Sequence, residues 1–387
     1  MKIGQFTDTF LPIVDGVGRV VSNYANTLPK KGHECYVVAP MSEDVGYMGN
    51  LPFELIEFIS RSVPTQPQYN SGLPILDGHY EARINNIPLD IIHAHSPFVA
   101  GQAGLRIARR KNIPIIGMFH SRYYDDFYQL TKAEMLANIG VAIIVNFYQR
   151  CDEVWTVSQS SADTLHDYGY EGDIVILPNG TPNVAPSEKM RKLARVTFHL
   201  PQERVLMYCG QLNWKKNILR ILEACALLLQ QGEPYTLLMV GQGPDRKEIE
   251  KKAAQLGLDG HIVFTGHITD ETLLYGLYEA ADLFVFPSLY DTSGMVVREA
   301  AALETPSVVV RGSAPAEPLT DGQNGFLCED TAESLAGAIH SAFKDPARLT
   351  AIGKNARQTV YFSWDDIIDD AVDHYQALIE RFNRETK

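Results

Sequence analysis

Short apolar, often β-branched runs recur along this chain, each cut off by Gly, Pro or Asp and most followed by a helix-length stretch. KIGQF (2–6), CYVVAP (35–40), FELIEFI (53–59), DIIHAH (90–95), IPIIGMF (113–119), EVWTV (153–157) and DIVILP (173–178) make one series. RVLMYCG (204–210), YTLLMVG (235–241), HIVFTG (261–266), DLFVF (282–286), PSVVVR (306–311) and GFLCE (325–329) make a second. Runs this short, without polar alternation, are strands buried on both faces, which is the pattern of a parallel sheet covered by helices. The pattern predicts an α/β fold of doubly wound type. At 387 residues the chain exceeds one ordinary core, so two domains are expected.

The Pro/Asn/Gly-rich loop Asn179 to Pro186 lies between the two series and is the predicted linker, dividing residues 1–183 from 184–363. A basic helical piece, KMRKLARVTFHL, follows it. In the first domain, helices are expected from about Val20 to Lys30, from Gly101 to Lys111 and from Lys132 to Arg150. Beyond the second series, Ser363 reads as an N-cap with Asp365 and Asp366 in the first turn. Trp364, Ile368, Ala371, Tyr375, Leu378 and Phe382 then form an apolar stripe at helical spacing. Such a helix must pack on something, and residues 364–387 are expected to return to the first domain.

A formal charge of −13 argues against a nucleic-acid partner. The cysteines (Cys35, Cys151, Cys209, Cys225, Cys328) are odd in number and widely spaced, which reads as reduced thiols in a cytoplasmic protein. MKIGQFTDTF reads as a first strand rather than a signal peptide. Ala137 to Tyr148, an apolar candidate for a membrane span, falls short of the ~20 residues a bilayer requires.

Several chemistries lack their residues. The first loop has Val21 where a dinucleotide fingerprint needs its third glycine, and GQGPDR (241–246) fails at its last place. There is no Walker lysine pattern, no DxD to clamp a metal on a diphosphate, and no GxSxG elbow. His93 and His95 could share one face but have no third ligand nearby, and read as packing or loop-ordering histidines.

What remains is a set of residues at strand ends, where ligands of open α/β sheets bind. Asp15 to Gly18 (with Gly16 and Val17) follows the first strand, and His120 follows IPIIGMF. Gln211 to Asn217, with Lys215 and Lys216, follows RVLMYCG; Gly241 and Gly243 follow YTLLMV; Gly266 and His267 follow HIVFT. After DLFVF, Asp291, Ser293 and Gly294 lead into a helix whose first residues are Met295 and Val296 and whose second turn carries Glu299. A helix start offers unpaired N–H groups and partial positive charge to a phosphate. Without a metal, a diphosphate needs fixed cations, which Lys215 and Lys216 supply. The alternative is an ordinary βα turn with solvated acids and a solvated lysine pair.

In motif order, nearly the whole chain resembles the retaining GT-B glycosyltransferases of family 4. DGV (15–17), VSQSSADTL (157–165), ILPNG (176–180), GQLNWKKN (210–217), GQGP (241–244), PSLYDTSGMVVREAAALETPSVV (287–309) and TDGQNGFL (320–327) carry the resemblance. HSRYYDDF (120–127) is similar to a stretch of the diacylglycerol glycosyltransferases. The resemblance implies two Rossmann-like domains facing a cleft, a terminal helix crossing back to the first domain, and a nucleotide-sugar donor, UDP-hexose, held by the second without metal or cofactor. It implies that Glu299 holds the ribose hydroxyls, Asp291 a donor-sugar hydroxyl, and Lys216 the departing diphosphate. The backbone around Gly294 to Val296 would take phosphate or sugar oxygens, and His120 would contact the sugar.

Two features depart from the family. Asp291 stands where a glutamate is usual, one methylene shorter; Gln211 replaces an arginine, and Lys215 replaces an acid. The second departure is read as charge relocated within the loop. Implied acceptors are a lipid or a glycan. Arg106, Arg109, Arg110 and Lys111 either meet an anionic membrane surface, making the protein peripheral on the cytosolic face, or serve as cations at a helix C-terminus. A non-catalytic sugar-nucleotide binder and an epimerase or hydrolase on the same fold are the rival functions.

Overall fold

The computed structural model describes residues 1–11, 16–41, 50–63, 66–201 and 204–385. The chain forms two compact units, Met1–Asn179 with Trp364–Lys387, and Gly180–Ser363. It passes from one to the other at Asn179–Gly180, the start of the proline- and asparagine-rich loop, and returns at Ser363–Trp364.

In the first unit, seven strands form one sheet: β1 (Lys2–Phe6), β2 (Glu34–Pro40), β3 (Glu54–Phe58), β6 (Ile91–Ala94), β7 (Ile115–Phe119), β8 (Glu153–Thr156) and β9 (Val175–Ile176). Their order is β3-β2-β1-β6-β7-β8-β9, and every pair is parallel. The strand order therefore reverses direction between β1 and β6. β4 (Ser60–Val63) and β5 (Gln66–Gly72) pair separately as an antiparallel hairpin. SRSV and QPQYNSG are rich in Ser and Gln, so the apolar pattern that reveals the other strands is absent.

The second unit repeats the plan. β10 (Val205–Cys209), β11 (Thr236–Val240), β12 (Ile262–Gly266), β13 (Leu283–Phe286), β14 (Ser307–Val310) and β15 (Phe326–Cys328) lie in the order β12-β11-β10-β13-β14-β15, again all parallel. Its reversal falls between β10 and β13. In both units the central strands are buried along nearly their whole length, as continuous apolar runs require. Each unit is a Rossmann-like α/β domain.

Three helix expectations shift. The first helix starts earlier, Gly16–Thr27, and gives way to a 3₁₀ turn, Leu28–Lys31, where Pro29 offers no N–H. The second begins at Val99, two residues ahead of Gly101. The stretch expected as one helix from Lys132 starts instead at Glu134 and runs to Gln149, preceded by an unanticipated helix Tyr123–Thr131. Lys132 is left-handed (φ 54°) between them, capping the first helix through its N–H to Tyr128 O.

The terminal helix spans Trp364–Glu385, and Trp364, Ile368, Ala371, Tyr375 and Leu378 are buried, while Phe382 is half-exposed.

Candidate active site

In open parallel sheets, loops from two strands that flank a reversal diverge and leave a crevice. In the second unit those loops follow β10 and β13. The β10 loop begins at Gly210 and turns through a short 3₁₀ segment, Trp214–Lys216, capped by the Asn213 side chain, which accepts from Lys215 N at 2.9 Å. Asn217 closes the turn in a left-handed conformation, and its side-chain amide donates to Pro287 O at the end of β13 (3.1 Å) and to Asp330 (2.8 Å). This fixes one loop against the other.

The glycines expected beneath a nucleotide have steric reasons to be glycine. A Cβ on Gly241, whose φ is +131°, would lie 2.0 Å from the Gly210 carbonyl oxygen, and one on Gly243 would lie 2.2 Å from that of Leu212. Leu212 N donates to Gln242 O, and Gly241 N to Gly266 O, both at 2.9 Å. The loops after β10, β11 and β12 therefore touch backbone to backbone. His267 and Gln211 are exposed beside them.

From the β13 loop, Asp291 Oδ1 meets Lys216 Nζ at 2.8 Å, with both side chains about one-fifth exposed. Its other oxygen, Oδ2, is buried without a hydrogen-bond partner among the described residues. Tyr290 presents its ring to Lys215 (4.8 Å) and Lys216 (5.7 Å), so both cations pack against one aromatic ring. The Tyr208 phenol, donating to Gln211 O at 2.9 Å, is pushed well above its ordinary pKa by burial and by the charge of Asp291.

Gly294 is left-handed (φ +59°), and a Cβ there would also press on Pro315 at 2.8 Å. It leads from Ser293 into the helix Met295–Ala302, with Met295 and Val296 half-buried in its first turn. Glu299 lies in the second turn, 6 % exposed, and Oε2 accepts from the Tyr278 hydroxyl at 2.9 Å. Burial, with Cys209 and Glu299 close by, raises the Tyr278 pKa well above normal, so the phenol stays a donor. Tyr208, Tyr278 and Tyr290 carry no sequence pattern that marks them; only Tyr290, next to Asp291, lay within the matched stretch. Among the described residues, no group of three or more His, Cys, Asp or Glu is placed to hold a metal ion.

The remaining expected residues belong to the first unit. Gly16 is exposed and Val17 half-buried at the start of a helix, while Asp15 lies outside the described residues. His120 is buried at the end of β7, and burial lowers its pKa from 6.5 to about 4. Its Nε2 lies 3.2 Å from Nδ1 of His95, with the rings stacked at 5.5 Å. The basic helix end is engaged within the protein. Arg106 and Arg110 pair with Glu81, Arg109 pairs with Asp152, and Lys111 Nζ donates to the carbonyls of Asn85 and Ile87.

Residues 190–359 match the family model of group 1 glycosyl transferases, and residues 14–182 that of glycosyltransferase family 4. An alpha-monoglucosyldiacylglycerol synthase of Streptococcus pneumoniae is 29% identical over 88% of this chain and 78% of its own. A GDP-mannose-dependent alpha-mannosyltransferase of Corynebacterium glutamicum is 26% identical over 98% of this chain and 89% of its own. Among solved structures, Anabaena HepE in complex with UDP superposes with a TM-score of 0.80 at 19% identity, covering 97% of this chain and 100% of that one.

Proposed function

The chain belongs to the family 4 glycosyltransferases of GT-B fold, and we propose that it moves a hexose, with retention, from a UDP-hexose to a hydroxyl of a lipid or glycan. One observation carries this reading: Lys216 and Asp291, from the two loops that flank the reversal in the second sheet, lie 2.8 Å apart. A diphosphate arriving there displaces Asp291 as the partner of Lys216. Asp291, with one oxygen already lacking a partner, then accepts from a sugar hydroxyl. Glu299, held by Tyr278, takes the ribose hydroxyls, and the N–H groups at Met295 and Val296 take phosphate oxygens.

In the transfer step the bond from sugar C1 to the phosphate oxygen breaks. The acceptor oxygen bonds to C1 from the same face, and the acceptor proton passes to the departing phosphate. Lys216, supported by Lys215, stabilises the charge that develops there. No metal or cofactor takes part in this reading.

The UDP found with the Anabaena protein and the glucosyl product in the Streptococcus enzyme's name support the donor, while the Corynebacterium enzyme's name makes GDP-mannose its competitor. A lipid acceptor places the protein at a cytosolic membrane surface. No helix among the described residues is long and apolar enough to cross a membrane. The basic helix end is engaged elsewhere, so membrane contact falls to the helix Glu134–Gln149. From Met135 to Gln149 that helix has no charged residue, yet Met135 (71%), Ile139 (51%) and Ile143 (60%) are exposed.

The test is a donor-by-acceptor screen, pairing UDP-glucose, UDP-galactose or GDP-mannose with diacylglycerol or monoglucosyldiacylglycerol, with mass spectrometry of products and NMR of the new linkage. An α-linked product from a UDP-hexose is expected. Turnover of the donor alone would instead identify a hydrolase or epimerase. Vesicle sedimentation tests the surface: pelleting with neutral phosphatidylcholine, abolished by Ile139→Asp with Ile143→Asp, is expected. Pelleting that requires anionic lipid would return the contact to basic residues.

A further inference from the structure

The β10 loop, GQLNWKKN (210–217), carries two cations and no acid, and the protein treats the two cations differently. Lys216 Nζ meets Asp291 Oδ1 at 2.8 Å. Lys215 is exposed and has no carboxylate partner among the described residues; its ammonium lies 4.8 Å from the centroid of the Tyr290 ring. Both ends of that contact are anchored at the backbone. Lys215 N donates to Asn213 Oδ1 and Trp214 N to Asp245 Oδ2, each at 2.9 Å, and the Trp214 indole donates to Glu248 at 3.2 Å. On the β13 side, Tyr290 N donates to Ser288 Oγ at 3.4 Å, and the residue is half-buried. What is left free to move is the four-carbon stem of Lys215.

A ring holds a cation differently from a carboxylate. The carboxylate takes an N–H donor of the ammonium and cancels its charge. The ring attracts the cation through its quadrupole, which leaves the net charge in place and the donors available to an oxygen anion. A phosphate therefore has to displace Asp291 to reach Lys216 but displaces no anion to reach Lys215. The ring also restricts the stem: an exposed lysine loses rotamer freedom when an anion fixes it, and a stem already resting on a ring loses less. Neighbouring ammonium groups repel, so without the ring Lys215 would swing out into solvent, away from Lys216.

We propose that Tyr290 is a positioning residue for Lys215: its ring seats the ammonium, with charge and donors uncommitted, where it takes a phosphate of a nucleoside diphosphate. The two lysines thereby divide the work. Lys215 is open to the diphosphate before it arrives, and Lys216 joins when Asp291 exchanges partners. The seat is a property of the free protein, while its use rests on the diphosphate site proposed above.

Seat and use are measured separately on the full-length protein. Protons above an aromatic ring shift upfield, so NMR of the free protein should show the Lys215 ε-methylene upfield of an ordinary lysine. That shift is expected to persist in Tyr290→Phe and to vanish in Tyr290→Leu. An ordinary Lys215 ε-methylene in the wild type overturns the seat, whether or not either variant folds. UDP calorimetry reads the use. Tyr290→Leu is expected to weaken UDP binding about 2- to 5-fold and Tyr290→Phe to bind like the wild type, while in a Lys215→Met background Tyr290→Leu should change nothing. Equal losses in the Leu and Phe variants would assign the effect to the phenol hydroxyl, and a loss that persists without Lys215 would assign it to another partner of the ring; either result overturns the proposal. A wild type that shows the upfield shift but binds no UDP removes the diphosphate site and this role together. Unchanged UDP affinity in Tyr290→Leu removes the role alone and leaves the exchange between Lys216 and Asp291 standing.

Discussion

Asp291→Asn keeps the shape of the side chain but removes the negative charge 2.8 Å from Lys216 Nζ. Two unit charges at that distance attract by about 6 kcal/mol at an effective dielectric of 20 and by about 1.5 kcal/mol in water. Both side chains are about one-fifth exposed, so the pair lies between an exposed ion pair, at about 0–1 kcal/mol net, and a buried one, whose breaking costs about 3–5 kcal/mol. Freeing Lys216 should therefore cost about 1–2 kcal/mol in the wild type and almost nothing in the variant. UDP, which carries the diphosphate but no sugar, is expected to bind Asp291→Asn about 5- to 30-fold more tightly. UDP-glucose should gain less, because the same substitution removes the carboxylate assigned to its sugar hydroxyl. Calorimetry at fixed ionic strength measures both. In a Lys216→Met background, Asp291→Asn should leave UDP affinity unchanged. Unchanged or weaker UDP binding by Asp291→Asn with Lys216 intact would refute the exchange of partners.

Three further outcomes are expected. A histidine held neutral binds fewer protons folded than unfolded, so the stability due to His120 is complete above its ordinary value of 6.5 and lost as pH falls toward about 4. That gap is worth up to about 3 kcal/mol, with His93 and His95 acting in the same direction, and urea unfolding at pH 7.5, 5.5 and 4.5 should show a smaller loss in His120→Asn. Gly241→Ala should destabilise the second unit by at least about 2 kcal/mol, because its φ is +131° and the new Cβ meets a carbonyl, whereas Gly16→Ala, whose Cβ would meet nothing within 4 Å, should change stability by less than about 0.5 kcal/mol. Similar shifts of both in calorimetric scans would contradict the steric argument. Tyr278→Phe removes the hydroxyl that holds Glu299 and should weaken UDP binding about fivefold, while an unchanged affinity would mean that Glu299 is oriented by other contacts.

The sheets were legible because a strand buried on both faces has to be apolar throughout, as VLMYC in β10 and LFVF in β13 are. The terminal helix was legible for the matching reason, since Trp364, Ile368, Ala371 and Tyr375 repeat at helical spacing. The polar hairpin of β4 and β5 was not, because neither period appears in SRSV or QPQYNSG. The break at Lys132 was equally hidden, as a lone left-handed lysine has no compositional mark.

At the candidate site, the sequence by itself determined which residue types follow which strand: glycines at 241, 243 and 294, lysines at 215 and 216, acids at 291 and 299. Those are local facts, decided by turn sterics and by what a helix start can bind. Tertiary structure alone decided the pairings. Lys216 meets Asp291 from 75 positions away because β10 and β13 are neighbours at the reversal of the sheet, and Glu299 meets Tyr278 because two helices pack on that sheet. It also drew His93 and His95, which read as packing residues in sequence, into a chain with Gln5, His120 and Tyr375. A hydrogen bond needs two atoms within about 3 Å, and only the folded sheet brings residues so distant in sequence to that separation.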